Sequence, residues 1–269
     1  MTQAKAIIVP VTPFQQSCTV LWCEASKRAV VIDPGGDLPN IECAIAQAGV
    51  SVDKIWLTHG HVDHVAGAAA LKASRKVPIE GPHRDDLFLL QHIVDSARSY
   101  GMPDAANVTP DRWLADGDEV EIGVLKFGVM HYPGHSPGSI VFFNAAQRLA
   151  IVGDVLFAGS IGRTDLPRGN HRQLLDSIRD KLLPLADDVT IIAAMGRPAP
   201  SAGNARAIRF CDRANRSLLS KLLMTYPIGR LLISGISRYC QGVSRLWNWR
   251  TIGSRIRYAG RARELQWAA

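Results

Sequence analysis

THGHVDH, residues 58–64, places three histidines and an aspartate within six positions of one another. The letters before it, KIWL, are mostly apolar and predict a buried strand whose carboxyl end delivers the motif. Imidazole and carboxylate groups without a thiolate suit Zn²⁺, Fe²⁺ or Mn²⁺. A set of surface histidines on a polar loop is the simpler alternative, but such clusters rarely follow a buried strand. We therefore predict a metal centre at the end of this strand.

The spacing within the motif predicts two neighbouring metal positions. Gly60 is expected to let the backbone bend tightly enough for His59 and His61 to point at one centre. Asp63 and His64 lie just beyond them and can turn toward a second centre a few ångströms away.

Further ligands are expected from the ends of other predicted strands. His135 lies in the turn sequence HYPGHSPGS, and Asp154 follows a strand in AIVGDVLF, where Gly153 leaves room beside it. His131 is an alternative to His135, but its position inside the preceding strand favours packing or a supporting role. The other histidines are expected to face solvent: His83, His92 and His171.

Up to residue 193 the chain alternates between strand patterns and amphipathic helical patterns. The predicted strands are 5–11, 19–24, 29–36, 54–60, 125–134, 138–144, 148–157 and 187–193. The predicted helices are 38–49, 66–76, 86–101 and 171–185. Two groups of strands, with helices between and after them, indicate an α+β layered sandwich in which helices cover the outer faces of two sheets.

Charge divides the chain into two regions. Residues 194–269 contain thirteen Arg and one Lys but only two acidic residues, whereas residues 1–193 carry a net charge of −5. The sequence therefore predicts a first domain at 1–193 and an irregular basic tail at 194–269. Five irregularly spaced cysteines without a CxxC pair do not suggest a thiolate zinc knuckle.

The motifs THGHVDH, PGHSPGS and GDVLF, in this order, resemble those of the metallo-β-lactamase superfamily. The segments VIDPGGD, TPDRWLADGD, GRTDLPRG and DKLLPLADDVT narrow the resemblance to the compact bacterial branch of glyoxalase II, the hydroxyacylglutathione hydrolases. The resemblance covers about residues 7–192. It implies a four-layer αβ/βα sandwich and a zinc-dependent hydrolase with one or two metals per chain, for which Fe²⁺ or Mn²⁺ is an alternative.

The same resemblance implies roles for individual residues. The first metal would be held by His59, His61 and His135, and the second by Asp63 and His64. Asp154 would bridge the two metals, and Asp63 would also orient the attacking water as a catalytic residue. The substrate would be a small glutathione thioester such as S-lactoylglutathione. Arg163, with Asp165, would contact substrate at the edge of the site, although a structural ion pair is an equal alternative.

One ligand implied by the resemblance is missing. Relatives carry a last histidine in P-G-H-G-P-x-S-T after the final core strand, but this chain reads IIAAMGRPAPSAG there and has no histidine after His171. Codons compatible with residues 194–212, regrouped one nucleotide earlier, permit the expected His-Gly and the family's ending. We therefore expect a single-base deletion near Ala193, after which the tail is translated out of frame.

Other interpretations remain open at this point. The tail could instead be an authentic basic segment that lies on an anionic membrane or nucleic acid, but composition alone does not support either partner, and we expect none. The activity could instead be that of a mononuclear-iron persulfide dioxygenase, or the chain could be inactive. No charged segment and long apolar run begin the sequence, so a cytoplasmic location is expected.

Overall fold

The computed structural model describes residues 3–102, 104–157, 160–185 and 188–195. The predicted basic tail lies outside the described residues from residue 196 onward. Within the described ranges, no helix is both long enough and apolar enough to span a bilayer.

The first sheet has five strands in the order β1-β2-β3-β4-β5. β1, β2 and β3 pair antiparallel, whereas β4 and β5 run parallel to β3. The carboxyl ends of β3 and β4 therefore lie at one edge of the sheet, where both strands run into loops that carry polar residues. The strands are β1 Ala4–Val11, β2 Gln16–Cys23, β3 Arg28–Ile32, β4 Ser51–Trp56 and β5 Ile79–Glu80.

The second sheet has five strands in the order β12-β9-β8-β7-β6. β6 to β9 pair antiparallel, and β12 runs parallel to β9. A separate antiparallel pair, β10-β11, follows β9. The strands are β6 Glu119–Ile122, β7 Leu125–His131, β8 Ile140–Asn144, β9 Leu149–Gly153, β10 Leu156–Phe157, β11 Ser160–Ile161 and β12 Thr190–Ala193.

Helices cover the outer faces of both sheets. They are α1 Leu38–Ala48, α2 Val62–Val65, α3 Ala68–Arg75, α4 Leu87–Leu90, α5 Ile93–Ser99 and α6 His171–Ser177, which continues as a π-helical turn over Ile178–Leu182. Residues of α1, α3 and α5 pack on the first sheet, and those of α6 pack on the second. The order helix, sheet, sheet, helix confirms the predicted four-layer αβ/βα sandwich.

The two sheets pack face to face around Trp56. Its indole stacks on Phe142 with ring centroids 4.7 Å apart and meets Phe127 edge-on at 5.5 Å. The indole N–H donates to a carboxylate oxygen of Glu80 at 2.9 Å, so its polar atom is satisfied inside the core. Trp56 is the last residue of β4, and the ligand motif begins two residues later.

The predicted helix over 86–101 is wrong as a single element. The structure divides it into α4 and α5. In a continuous helix the carbonyl oxygen of Leu90 would accept from the N–H of Val94, but both of these backbone groups have other partners. The carbonyl oxygen of Leu90 accepts from the N–H of Val108, and the N–H of Val94 donates to the side chain of Asn107.

Strand β6 was not predicted, although Val120 and Ile122 alternate with exposed glutamates in the manner of a half-buried strand.

Replacing Trp56 with alanine is expected to destabilise the fold by about 3–5 kcal/mol, because a large aromatic side chain is removed from between the sheets. Urea unfolding measures the change. Val124→Ala is the control: its side chain is 68 % exposed, so the free energy of unfolding should change by less than about 0.5 kcal/mol. Equal stability of the two variants would contradict the packing described here.

Candidate metal centre

His59 and His61 flank Gly60 in the segment that joins β4 to α2. A Cβ at Gly60 would lie 2.9 Å from Cβ of Leu89 and 3.1 Å from Cβ of Asp86, so this segment packs directly against the start of α4. Gly60 does not have a positive φ. The glycine is therefore required for close approach, and the tight bend expected from the sequence stays a prediction.

Three imidazoles meet at one point. Nε2 of His135, in the loop between β7 and β8, lies 3.2 Å from Nε2 of His59 and 2.8 Å from Nδ1 of His61. Ligand nitrogens about 2.0–2.1 Å from one tetrahedral Zn²⁺ are separated by about 3.3 Å. The structure thus brings these three side chains close to the spacing that a shared ion requires.

A second group of side chains, Asp63 and His64, lies next to the three imidazoles, and Asp154 contacts both groups. Nε2 of His64 lies 3.7 Å from Oδ2 of Asp63 and 3.4 Å from Oδ1 of Asp154. The other oxygen of Asp154 lies 3.6 Å from Nε2 of His135. The Asp154 carboxylate therefore faces both groups, as a ligand shared by two ions would.

The donor atoms of this centre fit a divalent cation. Among the described residues, Nε2 of His64 and Oδ1 of Asp154 are buried without a hydrogen-bond partner. Leaving such atoms unsatisfied costs about 1–3 kcal/mol each. Coordination of a cation would satisfy both, and the surrounding donors are all nitrogen and oxygen atoms of the kind that divalent metals bind.

The three clustered imidazoles are held in the neutral form. Burial, with a smaller contribution from the neighbouring histidines, lowers the pKa of His59 well below its ordinary value and that of His61 to about 3. Burial also lowers the pKa of His135. A neutral imidazole keeps the lone pair that a metal requires, so no proton must be displaced at neutral pH.

His64 has the opposite charge preference. Burial disfavours its protonated form, but Asp63, Asp154 and Asp33 outweigh burial and raise its pKa. Burial raises the pKa of Asp63 as well. Three carboxylates around one imidazole thus favour a positive charge at this point, which either a proton on His64 or a bound cation can supply.

Asp33, at the end of β3, holds the second group in place. Its carboxylate accepts from the backbone N–H of Thr58 at 2.8 Å and from the Thr58 hydroxyl at 2.6 Å, and it contacts Nδ1 of His64 at 2.9 Å. These contacts leave Nε2 of His64 as the nitrogen for an ion. The sequence analysis did not select Asp33 as a site residue, although its place after the strand in VIDPGG is the kind of signal that selected Asp154.

The first group is oriented in the same way. Nδ1 of His135 donates to the carbonyl oxygen of Arg163 at 2.8 Å, and Nδ1 of His59 lies 3.0 Å from the Thr58 hydroxyl. The Arg163 side chain is exposed and forms a bidentate ion pair with Asp165 at 2.7–2.8 Å. The backbone of Arg163 thus supports the centre, while its proposed contact with substrate stays a prediction.

Asp86 connects the two ligand loops. Its buried carboxylate accepts from the N–H of Gly60 at 2.8 Å, the hydroxyl of Ser136 at 2.7 Å and the N–H of Gly138 at 2.6 Å. Gly60 separates His59 from His61, and Ser136 follows His135. No local pattern identifies Asp86 from the sequence, because its partners lie 26 to 52 residues away.

The remaining histidines lie outside the centre. Nε2 of His131 is 2.7 Å from the carbonyl oxygen of Pro137, and its ring stacks on His83 with centroids 4.1 Å apart. This contact braces the loop that carries His135, in agreement with the packing role expected for His131. His92 and His171 are exposed, as expected.

The end of β12 lies beside Gly153, the residue that precedes Asp154. Ala193 pairs with Gly153, and the N–H of Ala194 donates to the carbonyl oxygen of Gly153 at 3.1 Å. Met195, the next residue, is half-buried and offers no imidazole.

Most of the described part of the chain is similar to known proteins. Residues 11–194 match the family model of the metallo-beta-lactamase superfamily. The hydroxyacylglutathione hydrolase GloC of Haemophilus influenzae is 43 % identical over 190 residues, which cover 70 % of this chain and 89 % of the relative. The structures of the BLEG-1 B3 metallo-beta-lactamase and of TTHA1623 in a di-iron-bound form are 34 % and 31 % identical, with TM-scores of 0.66 and 0.64. Each comparison covers 71 % of this chain and 92 % of the other.

Gly35→Ala is expected to disrupt the centre, because a Cβ there would lie 1.6 Å from the carbonyl oxygen of Asp63. Relief requires the backbone next to His64 to move, at a cost of about 1–3 kcal/mol. The matched control is Gly36→Ala, whose Cβ would meet only a methyl group of Thr12 at 3.3 Å. Bound zinc per chain after dialysis and urea unfolding should both fall for the first variant only; equal values for the two would contradict this contact.

Asp86→Asn is expected to reduce the free energy of unfolding by about 1–3 kcal/mol at pH 7, because the amide has one acceptor oxygen where the carboxylate has two. Either the N–H of Gly60 or that of Gly138 then loses its acceptor. Zinc affinity should fall as well, since both ligand loops are released. The control is Asp95→Asn, at a side chain 70 % exposed, which should change neither quantity.

Proposed function

The chain belongs to the metallo-β-lactamase superfamily, and we propose that it is a metal-dependent thioester hydrolase that cleaves S-(2-hydroxyacyl)glutathione, such as S-lactoylglutathione, to glutathione and a 2-hydroxy acid. The observation that carries the proposal is the convergence of six nitrogen- and oxygen-bearing side chains on two adjacent points. The 43 % identity to a hydroxyacylglutathione hydrolase supports this choice of reaction within a broad superfamily.

We assign the metal ligands as the sequence predicted them. One ion would be held by His59, His61 and His135, the second would be held by Asp63 and His64, and Asp154 would be shared by both. Zn²⁺ is the proposed ion, while Fe²⁺ and Mn²⁺ suit the same donors. When bound, such an ion lowers the pKa of water from about 15.7 toward about 7 and polarises a carbonyl oxygen.

The chain's own residues then orient the reactants. The Asp63 side chain is 14 % exposed, so its carboxylate is reachable from solvent at the mouth of the centre. Its carboxylate oxygens can accept a hydrogen bond from an attacking water and so orient it. Glutathione leaves as a thiolate, a good leaving group, so a strong general acid is unnecessary. The fixed orientation of His59, His64 and His135 by their second nitrogens limits reorganisation during the reaction.

The missing last histidine limits the second site. We propose that a single-base deletion near Ala193 put residues 194–269 out of frame, and that the in-frame ending would supply an imidazole beside Asp154. The position of Ala193 next to Gly153 supports this entry point. An impaired hydrolase is one consequence. The alternative activity is that of a mononuclear-iron persulfide dioxygenase. Such a site would need only His59, His61, His135 and Asp154.

The chain and a version with the reading frame restored after residue 193 are expected to differ in S-lactoylglutathione hydrolysis by at least about tenfold, since a lost metal ligand or supporting group costs about 10–100-fold. Metal analysis should find about two ions in the restored protein and fewer in the present one. Asp63→Asn in the restored protein should abolish most of the activity, whereas Asp95→Asn should not.

Three results would overturn parts of this account. Equal rates and metal contents would contradict the frameshift. Oxygen consumption with glutathione persulfide, without thioester cleavage, would contradict the hydrolase and support the dioxygenase. Inactivity of both proteins toward the thioester when loaded with zinc, iron or manganese would contradict the proposed function.

A further inference from the structure

A cavity of about 370 Å³ lies beside α4 and is separate from the ion-binding groups. Its size is in the range of small-molecule pockets. Two guanidinium groups and one carboxylate border it, and apolar side chains form much of its wall. The residues that matter for its chemistry are Arg84, Asp85, Leu87, Phe88, Pro137 and Arg168.

Both arginines of the cavity are available to bind an anion. The Arg168 guanidinium lies 4.1 Å from the centroid of the Phe88 ring, a cation–π contact that positions it without neutralising its charge. Neither Arg84 nor Arg168 forms an ion pair with an acidic side chain in the described part of the chain. Most other described arginines do, for example Arg163 with Asp165.

The loop that carries Arg168 is tightly constrained. Arg168 has a φ of 63°, a left-handed conformation that is unfavourable for a residue with a side chain. The next residue, Gly169, donates its N–H to the carbonyl oxygen of Leu166 at 2.8 Å, and a Cβ there would lie 2.5 Å from the carbonyl oxygen of Thr164. Such strain is retained where the surrounding structure fixes it, and it is often found at binding sites.

The cavity is within reach of the metal centre. Pro137 borders it and is two residues from His135, a distance of at most about 7 Å along the backbone. On the other side, Asp86 lies between two cavity residues and bonds to Gly60, between two ligand histidines. A tripeptide spans about 10 Å when extended, so a glutathione thioester could place its sulfur at the centre and one end in the cavity.

We propose that this cavity binds the γ-glutamyl end of the glutathione thioester. This end carries a carboxylate and an ammonium group on one carbon. Arg168 and Arg84 would bind the carboxylate, for which the planar guanidinium is suited. Asp85 would bind the ammonium, and Phe88, Leu87 and Pro137 would pack against the peptide. The inference rests on the proposed function, because it takes glutathione as the carrier of the acyl group.

Binding of the stable thioether S-methylglutathione to the full chain, measured by calorimetry, tests the cavity without relying on catalysis. Arg168→Gln and Arg84→Gln should each weaken binding by about fivefold or more, and Asp85→Asn by about threefold. The matched control is Arg172→Gln on α6. It removes the same charge from a side chain that is 92 % exposed and outside the cavity, and binding should change less than twofold.

A second probe, S-methyl-cysteinylglycine, lacks the γ-glutamyl group. It should bind the wild-type chain at least about tenfold more weakly than S-methylglutathione, and Arg168→Gln should not weaken it further. Equal binding of the two probes, equal loss for Arg168→Gln and Arg172→Gln, or no binding of S-methylglutathione would overturn the assignment. Circular dichroism checks that each surface variant is folded.

The two proposals fail in distinguishable ways. Selective binding of S-methylglutathione without any cleavage of S-lactoylglutathione would contradict the hydrolase and leave the cavity assignment standing. Cleavage of S-lactoylglutathione with a KM unchanged by Arg168→Gln would contradict the cavity assignment and leave the hydrolase standing.

Discussion

The structure depends on the burial of several imidazoles and carboxylates against one another at the joint edge of two sheets. Nε2 of His135 lies 2.8 Å from a nitrogen of His61 and 3.2 Å from a nitrogen of His59, and His64 is surrounded by carboxylates. Neutral imidazoles this close cannot satisfy one another fully, because each has only one N–H to donate. A bound cation resolves both the unsatisfied lone pairs and the excess negative charge, and this is why the site is best explained as a metal centre.

The fold supplies this arrangement by ending strands at one place and allowing their loops to touch. β3 ends before Asp33, β4 leads to His59, and β9 ends before Asp154. Glycines allow the loops to approach: a Cβ at Gly162 would lie 1.9 Å from the carbonyl oxygen of Asp154, and Gly153 packs on Thr58. Side chains that are themselves buried, such as Asp86, then join one loop to another. Ligand geometry is thus a property of the packed core and is not confined to the motif.

Much of the fold and of the candidate site could be predicted from the sequence. The strand and helix patterns gave the layered architecture, and the ligands are recognisable because four lie within one short motif and two follow strong apolar strands. Asp33 was missed although it follows an apolar strand, as Asp154 does. Asp86 was missed, since a buried carboxylate that holds distant backbone groups has no local pattern. The division of the helix after Asp86 was missed for the same reason: Asn107 and Val108 take hydrogen bonds that local sequence assigns to the helix itself.

The central claim is that these side chains share bound ions. Anomalous X-ray diffraction at the zinc absorption edge, from crystals of the zinc-loaded chain, tests it most directly. The account predicts a peak about 2.0–2.1 Å from the facing nitrogens of His59, His61 and His135, and a weaker second peak, if present, beside His64 and Asp154. Zinc bound elsewhere while the three imidazoles contact only one another or water would contradict it.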